Sequence, residues 1–254
     1  MKKMLLYLFL LAGLTFSSHA ATRGDVKVLE AADTIKYRVN NIAKNYLLLT
    51  EFPHKRGLVS LLHHELTALS KSFQEIALTT KDARTKGLLA YFAYQKARLE
   101  VLFDQHPSKE KASEVMGISE SFVEGSEAIA KHHQYNFSLE EKMFKTTLSL
   151  SEHLEAIAKY YIAHGLAKSD PEILKKMHKE SKTFTKLLQD IVRYKYTDKK
   201  TTRDRESILL TWHTLEPYIN QAGKEDTLPM ITSVGITHIN TLLQNLGIYH
   251  SKNQ

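Results

Sequence analysis

An internal repeat constrains the fold of this chain more than any other feature of its sequence. Residues 42–76 align with residues 157–191 at an offset of 115, and the alignment needs no gap. Identical pairs include Ile42/Ile157, Ala43/Ala158, Lys44/Lys159, Tyr46/Tyr161, Lys71/Lys186, Gln74/Gln189 and Ile76/Ile191. A match of this length, across two predicted helices and their connection, indicates two copies of one structural unit.

Apolar residues in both copies follow the spacing of amphipathic helices. The first stripe consists of Ile35, Val39, Ile42, Tyr46 and Leu49, and its copy of Leu150, Leu154, Ile157 and Tyr161. Steps of three and four residues place such side chains on one face of a helix. We therefore predict that Ile42 and Ile157 lie in the core, and that Lys44 is exposed.

Three further helices are predicted in each copy. The second pair keeps the offset of 115, and the third and fourth pairs have offsets of 116 and 117. Their aligned apolar residues include Ile76/Ile191, Phe92/Ile208, Leu99/Leu215, Phe103/Ile219, Phe122/Ile239 and Ile129/Leu246. Breaks are expected near Pro53, Pro107, Pro171, Gly223 and Pro229. Asp170 is expected to cap the helix that starts at Pro171.

We predict an all-α fold of two tandem up-down four-helix bundles, because strand patterns are nearly absent. The first module covers residues 21–137 and the second covers residues 138–254. The alternative is one elongated bundle, in which a helix over residues 138–150 continues across the boundary.

The first twenty residues have the layout of a secretory signal peptide. Lys2 and Lys3 precede an apolar run over residues 4–14, and small residues stand at Ser18 and Ala20. We expect cleavage after Ala20 and a periplasmic mature protein. The alternative is an uncleaved anchor, although the run is about half the ~20 residues that a spanning helix needs. The chain has no cysteine, which excludes disulfides, thiolate metal sites and c-type haem attachment.

The charges are of mixed sign along most of the chain. The formal net charge is +7, and removal of Lys2 and Lys3 would leave +5. The basic stretch over residues 194–205 is interpreted as a solvated loop between helices, with an acidic partner as the alternative. A nucleic-acid partner is not expected, because no recognition motif is present.

Residues that could carry chemistry do not form a known pattern. The adjacent pairs His63/His64 and His132/His133 lack the i, i+3 or i, i+4 spacing that helical metal sites use. Met116, Met143, Met177, Met230, His153 and His213 are potential haem ligands, but nothing in the sequence pairs them. We expect neither enzymatic activity nor a cofactor, and Trp212 is assigned to packing. A metal or haem carrier that uses some of the histidines is kept as the alternative function.

Several motifs resemble the PilJ/NarX-type sensor domain, found at the N-terminus of type IV pili methyl-accepting chemotaxis transducers and related to nitrate sensors. The first helices of that family end in a sequence similar to "IAKNYL" at residues 42–47, which returns as "IAKYYI" at residues 157–162. The stretches "TWHTLEPYI" at residues 211–219 and "HINTLLQNL" at residues 238–246 are similar to its third and fourth helices. The resemblance covers nearly the whole chain after the leader.

The resemblance implies a ligand pocket between two first helices, where an arginine of the nitrate sensors binds the anion. In this chain those arginine positions fall on Thr34 and Lys36, and on Ser149 and Ser151 in the second copy. Nitrate recognition is therefore not carried over.

The unequal copies predict a lopsided pocket, in which the helix at residues 35–49 pairs with the helix at residues 150–164. Its ligand-binding residues are predicted to be Lys36, Arg38, Asn40 and Asn41. The alternative is an internal salt bridge from the two cations to Glu155.

The resemblance implies a sensory or ligand-binding protein. Because the sequence continues into no signalling domain, we expect it to stand alone and to bind a small ligand, a membrane chemotaxis or sensor partner, or both. The ligand itself is not specified by the sequence.

Overall fold

A computed structural model describes residues 23–133, 135–167, 170–223 and 228–254 of the chain. The predicted leader and its cleavage site lie outside these residues. The described chain forms eight α-helices and no β-strand, which confirms the all-α prediction. The helices are α1 (Arg23–Glu51), α2 (Arg56–Thr79), α3 (Ala83–Phe103), α4 (Lys109–His132), α5 (Leu139–Ala167), α6 (Pro171–Arg193), α7 (Lys199–Gln221) and α8 (Pro229–Lys252).

Polar caps fix where several helices begin. The Asp82 carboxylate accepts from the Thr85 backbone N–H at 2.7 Å, and the Asp198 carboxylate accepts from that of Thr201 at 3.0 Å. Asp170 caps α6 as predicted, accepting from the Glu172 N–H at 2.9 Å. Each side chain satisfies a backbone donor that the first turn of a helix leaves without a partner.

The apolar stripes form two hydrophobic clusters. The first contains side chains of α1–α4, such as Ile42, Leu69, Phe92 and Phe122, with two residues from α5. The second is built from α5–α8 and includes Ile157, Phe184 and Trp212. Every aligned apolar pair of the repeat named above has its side chains in these clusters.

Helices α1 and α5 lie at the centre of the molecule and run parallel. Helix α1 packs against α2, α4 and α5, while α5 packs against α1, α6 and α8. Three polar contacts between the two central helices advance together along both: Asp33 with Lys145, Lys36 with Glu152, and Asn40 with Lys159. The pairing of the two first helices that the repeat predicted is therefore confirmed.

The parallel arrangement gives both four-helix groups the same orientation. We call the end where α1, α3, α5 and α7 begin the lower end, and the opposite end the upper end. Polar contacts join α1 to its neighbours at the lower end, as an ion pair between Lys27 and Glu75 and a contact between Asp25 and His133.

Two expectations about the connections need correction. Helix α5 begins at Leu139 and α4 ends at His132, so no helix continues across the boundary between the copies. The basic stretch over residues 194–205 is a loop only to Asp198, because the Asp198 cap starts α7 at Lys199. Among the described helices, none is long and apolar enough to cross a membrane.

Candidate functional site

Lys36 lies in the seam between α1 and α5, and its charge is neutralised by the protein itself. The Lys36 ammonium is 3.1 Å from Asp33 Oδ1 and 2.6 Å from Glu152 Oε2. Asp33 also binds the ammonium of Lys145. Burial acts to lower the pKa of Lys36, but the carboxylates of Glu152 and Asp33 outweigh it and raise that pKa. Lys36 therefore stays charged, with two carboxylates where an anionic ligand was predicted.

Arg38 points away from Lys36 and contacts α2. Its Nη1 donates to Glu65 Oε2 at 2.8 Å. Residues two apart on a helix do not share a face, so the structure does not bring Lys36 and Arg38 to one site. The same position in the second copy is His153, which binds Glu180 of α6 at 2.5 Å.

Asn40 and Asn41 are both buried and both use their side chains internally. Asn40 Oδ1 accepts from the Lys159 ammonium at 2.7 Å and from Ser119 Oγ at 3.4 Å. Asn41 Oδ1 accepts from Asn45 Nδ2 at 2.6 Å. The four predicted ligand residues therefore make four separate internal contacts and do not form one site.

The prediction that Lys44 is exposed is wrong. Its side chain is 3% exposed, and its ammonium lies 2.8 Å from Glu155 Oε2. Glu155 Oε1 also accepts from Asn240 Nδ2 at 2.6 Å. Helix α5 covers the face of α1 that would meet solvent in an isolated four-helix bundle. The internal bridge to Glu155 is thus made by Lys44 and not by Lys36 or Arg38.

A cleft at the upper end lies between the two four-helix groups. It has a volume of about 380 Å³. Its apolar surface comes from all four surrounding helices, through Leu47 of α1, Ala112 and Met116 of α4, Ala163 and Leu166 of α5, and Ile173 of α6. Polar side chains also line it, including Lys109, Asp170 and Glu172 at its rim. A concave site that combines apolar surface with polar groups is typical of small-molecule binding.

Polar groups stand together on one wall of this cleft. The Lys176 ammonium lies 2.8 Å from Glu120 Oε1, and the Tyr160 hydroxyl donates to the same oxygen at 3.3 Å. The buried Lys159 ammonium lies 4.4 Å from the centre of the Tyr160 ring, which attracts it by a cation–π interaction. Burial raises the pKa of Tyr160, so its hydroxyl stays protonated and able to donate.

Sequence reasoning did not single out Glu120, Tyr160 or Lys176. They lie on three helices and share no motif, so only the fold brings them together. The one available sign was Tyr160 itself, which stands inside the repeated segment where the first copy has Asn45.

The histidines have several different environments. His63, His64 and His132 are exposed as predicted for the adjacent pairs, but the His133 side chain is only 9% exposed, so the prediction is wrong for that residue. His213 is also exposed. His250 is fully buried instead, with Nδ1 2.7 Å from Glu140 Oε2 and Nε2 3.1 Å from the Tyr196 hydroxyl. The offset of 117 places His250 opposite His133, whose Nδ1 lies 2.8 Å from Asp25 Oδ1. In the described ranges, no three His, Asp or Glu side chains are placed to hold a metal ion.

Comparisons with known proteins give no match to a family model, a curated protein or a solved structure. The similarity to PilJ/NarX sensor domains therefore remains a prediction from the sequence motifs. The cleft, with its polar wall, is the feature of the described chain whose shape and chemistry fit a small ligand best.

Proposed function

We propose that this chain is an exported, non-enzymatic binding protein of the PilJ/NarX sensory type, whose small ligand occupies the cleft at the upper end. The observation that supports this most is the cleft itself, since residues of α1, α4, α5 and α6 line one concave surface. A ligand seated there touches both copies of the repeat. Binding would favour one relative arrangement of the two, which is the requirement for a sensor.

The lining indicates a small amphipathic ligand. Apolar side chains form more of the cleft surface than polar ones, and charges of both signs line it, among them the Glu120–Lys176 pair. These two side chains are 33% and 45% exposed, and an ion pair so accessible to water contributes little to stability. A charged group of the ligand can therefore replace one member of the pair at small energetic cost.

The seam between α1 and α5 is the less favourable place for an anion. Glu152 and Asp33 already neutralise Lys36, and Glu65 binds Arg38. A bound anion would have to displace the almost fully buried carboxylate of Glu152. Such a displacement leaves a charge without compensation in a poorly solvated place.

The cleft offers a direct test through a glycine. Gly117 lines the cleft, and a Cβ atom placed on it meets no atom within 4 Å. Gly117→Leu should therefore fill the cleft without strain, and helix propensity should stabilise α4 by about 0.5–1 kcal/mol. Gly87→Leu is the matched control, because Gly87 is also an exposed helical glycine with open space around it and lies far from the cleft.

We expect some member of a library of small amphipathic metabolites to raise the unfolding temperature of the wild-type protein. The same compound should bind Gly87→Leu normally and fail to bind Gly117→Leu, as measured by calorimetry. Equal binding to both variants would exclude the cleft as the site. If a Lys36→Ala/Arg38→Ala double variant lost binding while Gly117→Leu bound the compound normally, the ligand site would instead lie at Lys36 and Arg38 on α1.

A further inference from the structure

The lower end of the molecule carries an unusual concentration of exposed positive charge. Its exposed cations are Lys81, Arg84, Lys86, Lys131, Arg193, Lys195, Lys199, Lys200, Arg203 and Lys252. Within the described residues, none of these ten lies within 4 Å of a carboxylate as an ion pair. Their charge is therefore available to a partner.

Both copies of the repeat contribute to this basic lower end. The connections before α3 and α7 are aligned by the offset of 116, which places Asp82 opposite Asp198 and Arg84 opposite Lys200. Because α1 and α5 run parallel, the two connections face the same direction. The cations thus spread over one end of the whole molecule and not over a single loop.

Four carboxylates at the lower end have partners within the protein. Asp82 and Asp198 cap the helices that follow them. Glu140 binds His250 and the Tyr194 hydroxyl, and Glu141 accepts from the Ser138 backbone N–H at 2.8 Å. These four negative groups offset part of the positive charge, but the ten exposed cations outnumber them.

Large apolar side chains are exposed among these cations. Leu78 is 79% exposed, Leu139 64%, Ile248 54% and Val192 37%. They come from the last turns of α2, α6 and α8 and from the first residue of α5. The exposed part of each side chain contacts water, and its transfer out of water would be favourable.

The upper end differs in charge. Exposed carboxylates there alternate with exposed lysines, as in Glu51, Lys55, Asp104, Lys109, Glu110, Asp170, Glu172 and Lys175. The molecule is therefore polarised along its long axis, with mixed charge around the cleft and positive charge at the other end.

We propose that the lower end binds peripherally to the surface of anionic phospholipid bilayers. Lysine and arginine would bind lipid phosphates, while Leu78, Leu139, Val192 and Ile248 enter the boundary between headgroups and acyl chains. Both contributions are known to add in peripheral membrane binding. A bilayer fits better than a compact acidic protein, because the cations and apolar side chains are spread over the ends of two parallel bundles. In this orientation the cleft at the upper end faces away from the membrane.

Vesicle flotation tests the proposal with the intact protein. We expect binding to vesicles that contain about 30 mol% phosphatidylglycerol in phosphatidylcholine, and none to phosphatidylcholine alone. Raising NaCl from about 50 mM to 500 mM should release most of the protein, because salt screens exposed charges. Lys199→Glu/Lys200→Glu should weaken binding by about tenfold or more, since each cation near the surface contributes about fivefold.

Two matched variants separate this end from net charge in general. Lys55→Glu/Lys175→Glu makes the same charge change at the upper end and should leave vesicle binding nearly unchanged. Leu78→Ser/Ile248→Ser keeps all charges and should weaken binding severalfold, while circular dichroism confirms an unchanged helical fold. Equal loss in both lysine variants, or binding to heparin with none to anionic vesicles, would overturn the membrane assignment. This outcome is independent of whether a ligand occupies the cleft.

Discussion

The Lys159 ammonium lies 2.7 Å from Asn40 Oδ1, at the place equivalent to the one where Lys44 meets the carboxylate of Glu155. The offset of 115 makes Asn40 equivalent to Glu155 and Lys44 equivalent to Lys159. Lys44 of the first copy therefore contacts Glu155 of the second, and the equivalent lysine of the second copy, Lys159, contacts the equivalent residue of the first, Asn40. A twofold axis produces this reciprocal pattern in a homodimer. Here it arises between two halves of one chain.

Other polar contacts are duplicated in the same way. Arg38 binds Glu65 in the first copy, and His153 binds Glu180 in the second. At the lower end, Asp25 binds His133 and Glu140 binds His250. The copies have kept the positions of these internal bridges, while one residue of each bridge has changed, Arg38 to His153 and Asp25 to Glu140. Lys159 differs from the others, because it is a buried cation whose closest partner is a neutral amide.

The first prediction concerns the pH dependence of stability. Burial lowers the pKa of Lys159 to about 8, despite the charges of Glu120, Glu180 and Glu152 around it. Between about pH 8 and pH 10, the unfolded chain keeps a proton that the folded protein has released, so the free energy of unfolding rises with pH. The rise should amount to at most about 3 kcal/mol.

Replacing Lys159 by methionine should abolish that rise. Urea unfolding of the wild-type protein and of Lys159→Met, followed by circular dichroism from pH 7 to pH 10, would measure it. Parallel curves for the two proteins would show that Lys159 does not titrate in this range.

The second prediction contrasts the two lysines of the seam. Lys44→Met leaves the buried Glu155 carboxylate with only the Asn240 amide as a partner, and should lower the free energy of unfolding by about 3–5 kcal/mol. Lys159→Met removes a partner from the neutral Asn40 amide, which keeps its hydrogen bond from Ser119. This substitution should therefore lower the free energy of unfolding at pH 7 far less than Lys44→Met. A double variant, Lys44→Met/Glu155→Met, should recover part of the loss. Equal losses in the two single variants would contradict the difference in their partners.

The third prediction tests the repeat in the core. Ile42 and Ile157 are 1% and 0% exposed, so Ile→Ala at either position should leave a cavity and cost about 2–5 kcal/mol. Lys142→Ala is the control, because Lys142 is exposed on α5 and should change the free energy of unfolding by less than about 0.5 kcal/mol. If urea unfolding gave similar losses for Ile42→Ala and Lys142→Ala, the packing assigned to the stripe would be wrong.

The helices and their core could be predicted because helical periodicity is a local property of the sequence. The stripe through Ile35, Ile42 and Tyr46 and its copy are buried as expected. The burial of Lys44 could not be predicted in that way, because Lys44 is covered by α5, which lies about a hundred residues further along the chain. A polar residue beside an apolar stripe is exposed in one bundle and buried once two bundles meet.

The cleft, like the burial of Lys44, results from the packing of the two bundles and could not be predicted from local sequence. Glu120, Tyr160 and Lys176 belong to three helices, and their distances follow from how the two modules pack. The equivalence of two histidines could have been predicted from the sequence, because the offset of 117 that aligned the fourth helices also aligns His133 with His250. Their carboxylate partners, Asp25 and Glu140, align by the offset of 115.

The fourth prediction concerns stability in acid. Burial acts to raise the pKa of Glu140, but hydrogen bonds from His250 and Tyr194 outweigh it and lower that pKa. A lowered carboxyl pKa contributes stability above its ordinary value near 4.5, and this contribution is lost as pH falls through the folded pKa. Glu140→Gln should therefore lose less stability than wild type between about pH 5 and pH 3. Glu172→Gln, at an exposed position, should follow the wild-type curve, and an unchanged slope in Glu140→Gln would exclude this linkage.

The last prediction concerns a substitution that would make the Lys159–Asn40 contact equivalent to the Lys44–Glu155 ion pair. Asn40→Glu would give Lys159 the carboxylate that Lys44 has in Glu155. An opposite charge within about 4 Å favours the charged form of a lysine, so the pKa of Lys159 should rise again. The increase in the free energy of unfolding between about pH 8 and pH 10 should then disappear, although Lys159 is still present.

Urea unfolding of four proteins tests this repair: wild type, Asn40→Glu, Lys159→Met and the double variant. We expect Asn40→Glu to lose the rise that wild type shows above about pH 8, and to lose about 3–5 kcal/mol when Lys159→Met is added to it, because the new carboxylate is then buried without a cation. Asn41→Glu is the control, since Asn41 contacts Asn45 and not Lys159, and it should keep the wild-type slope. If Asn40→Glu also kept the wild-type slope, the new carboxylate would not reach Lys159. The two halves of the seam would then not be interchangeable.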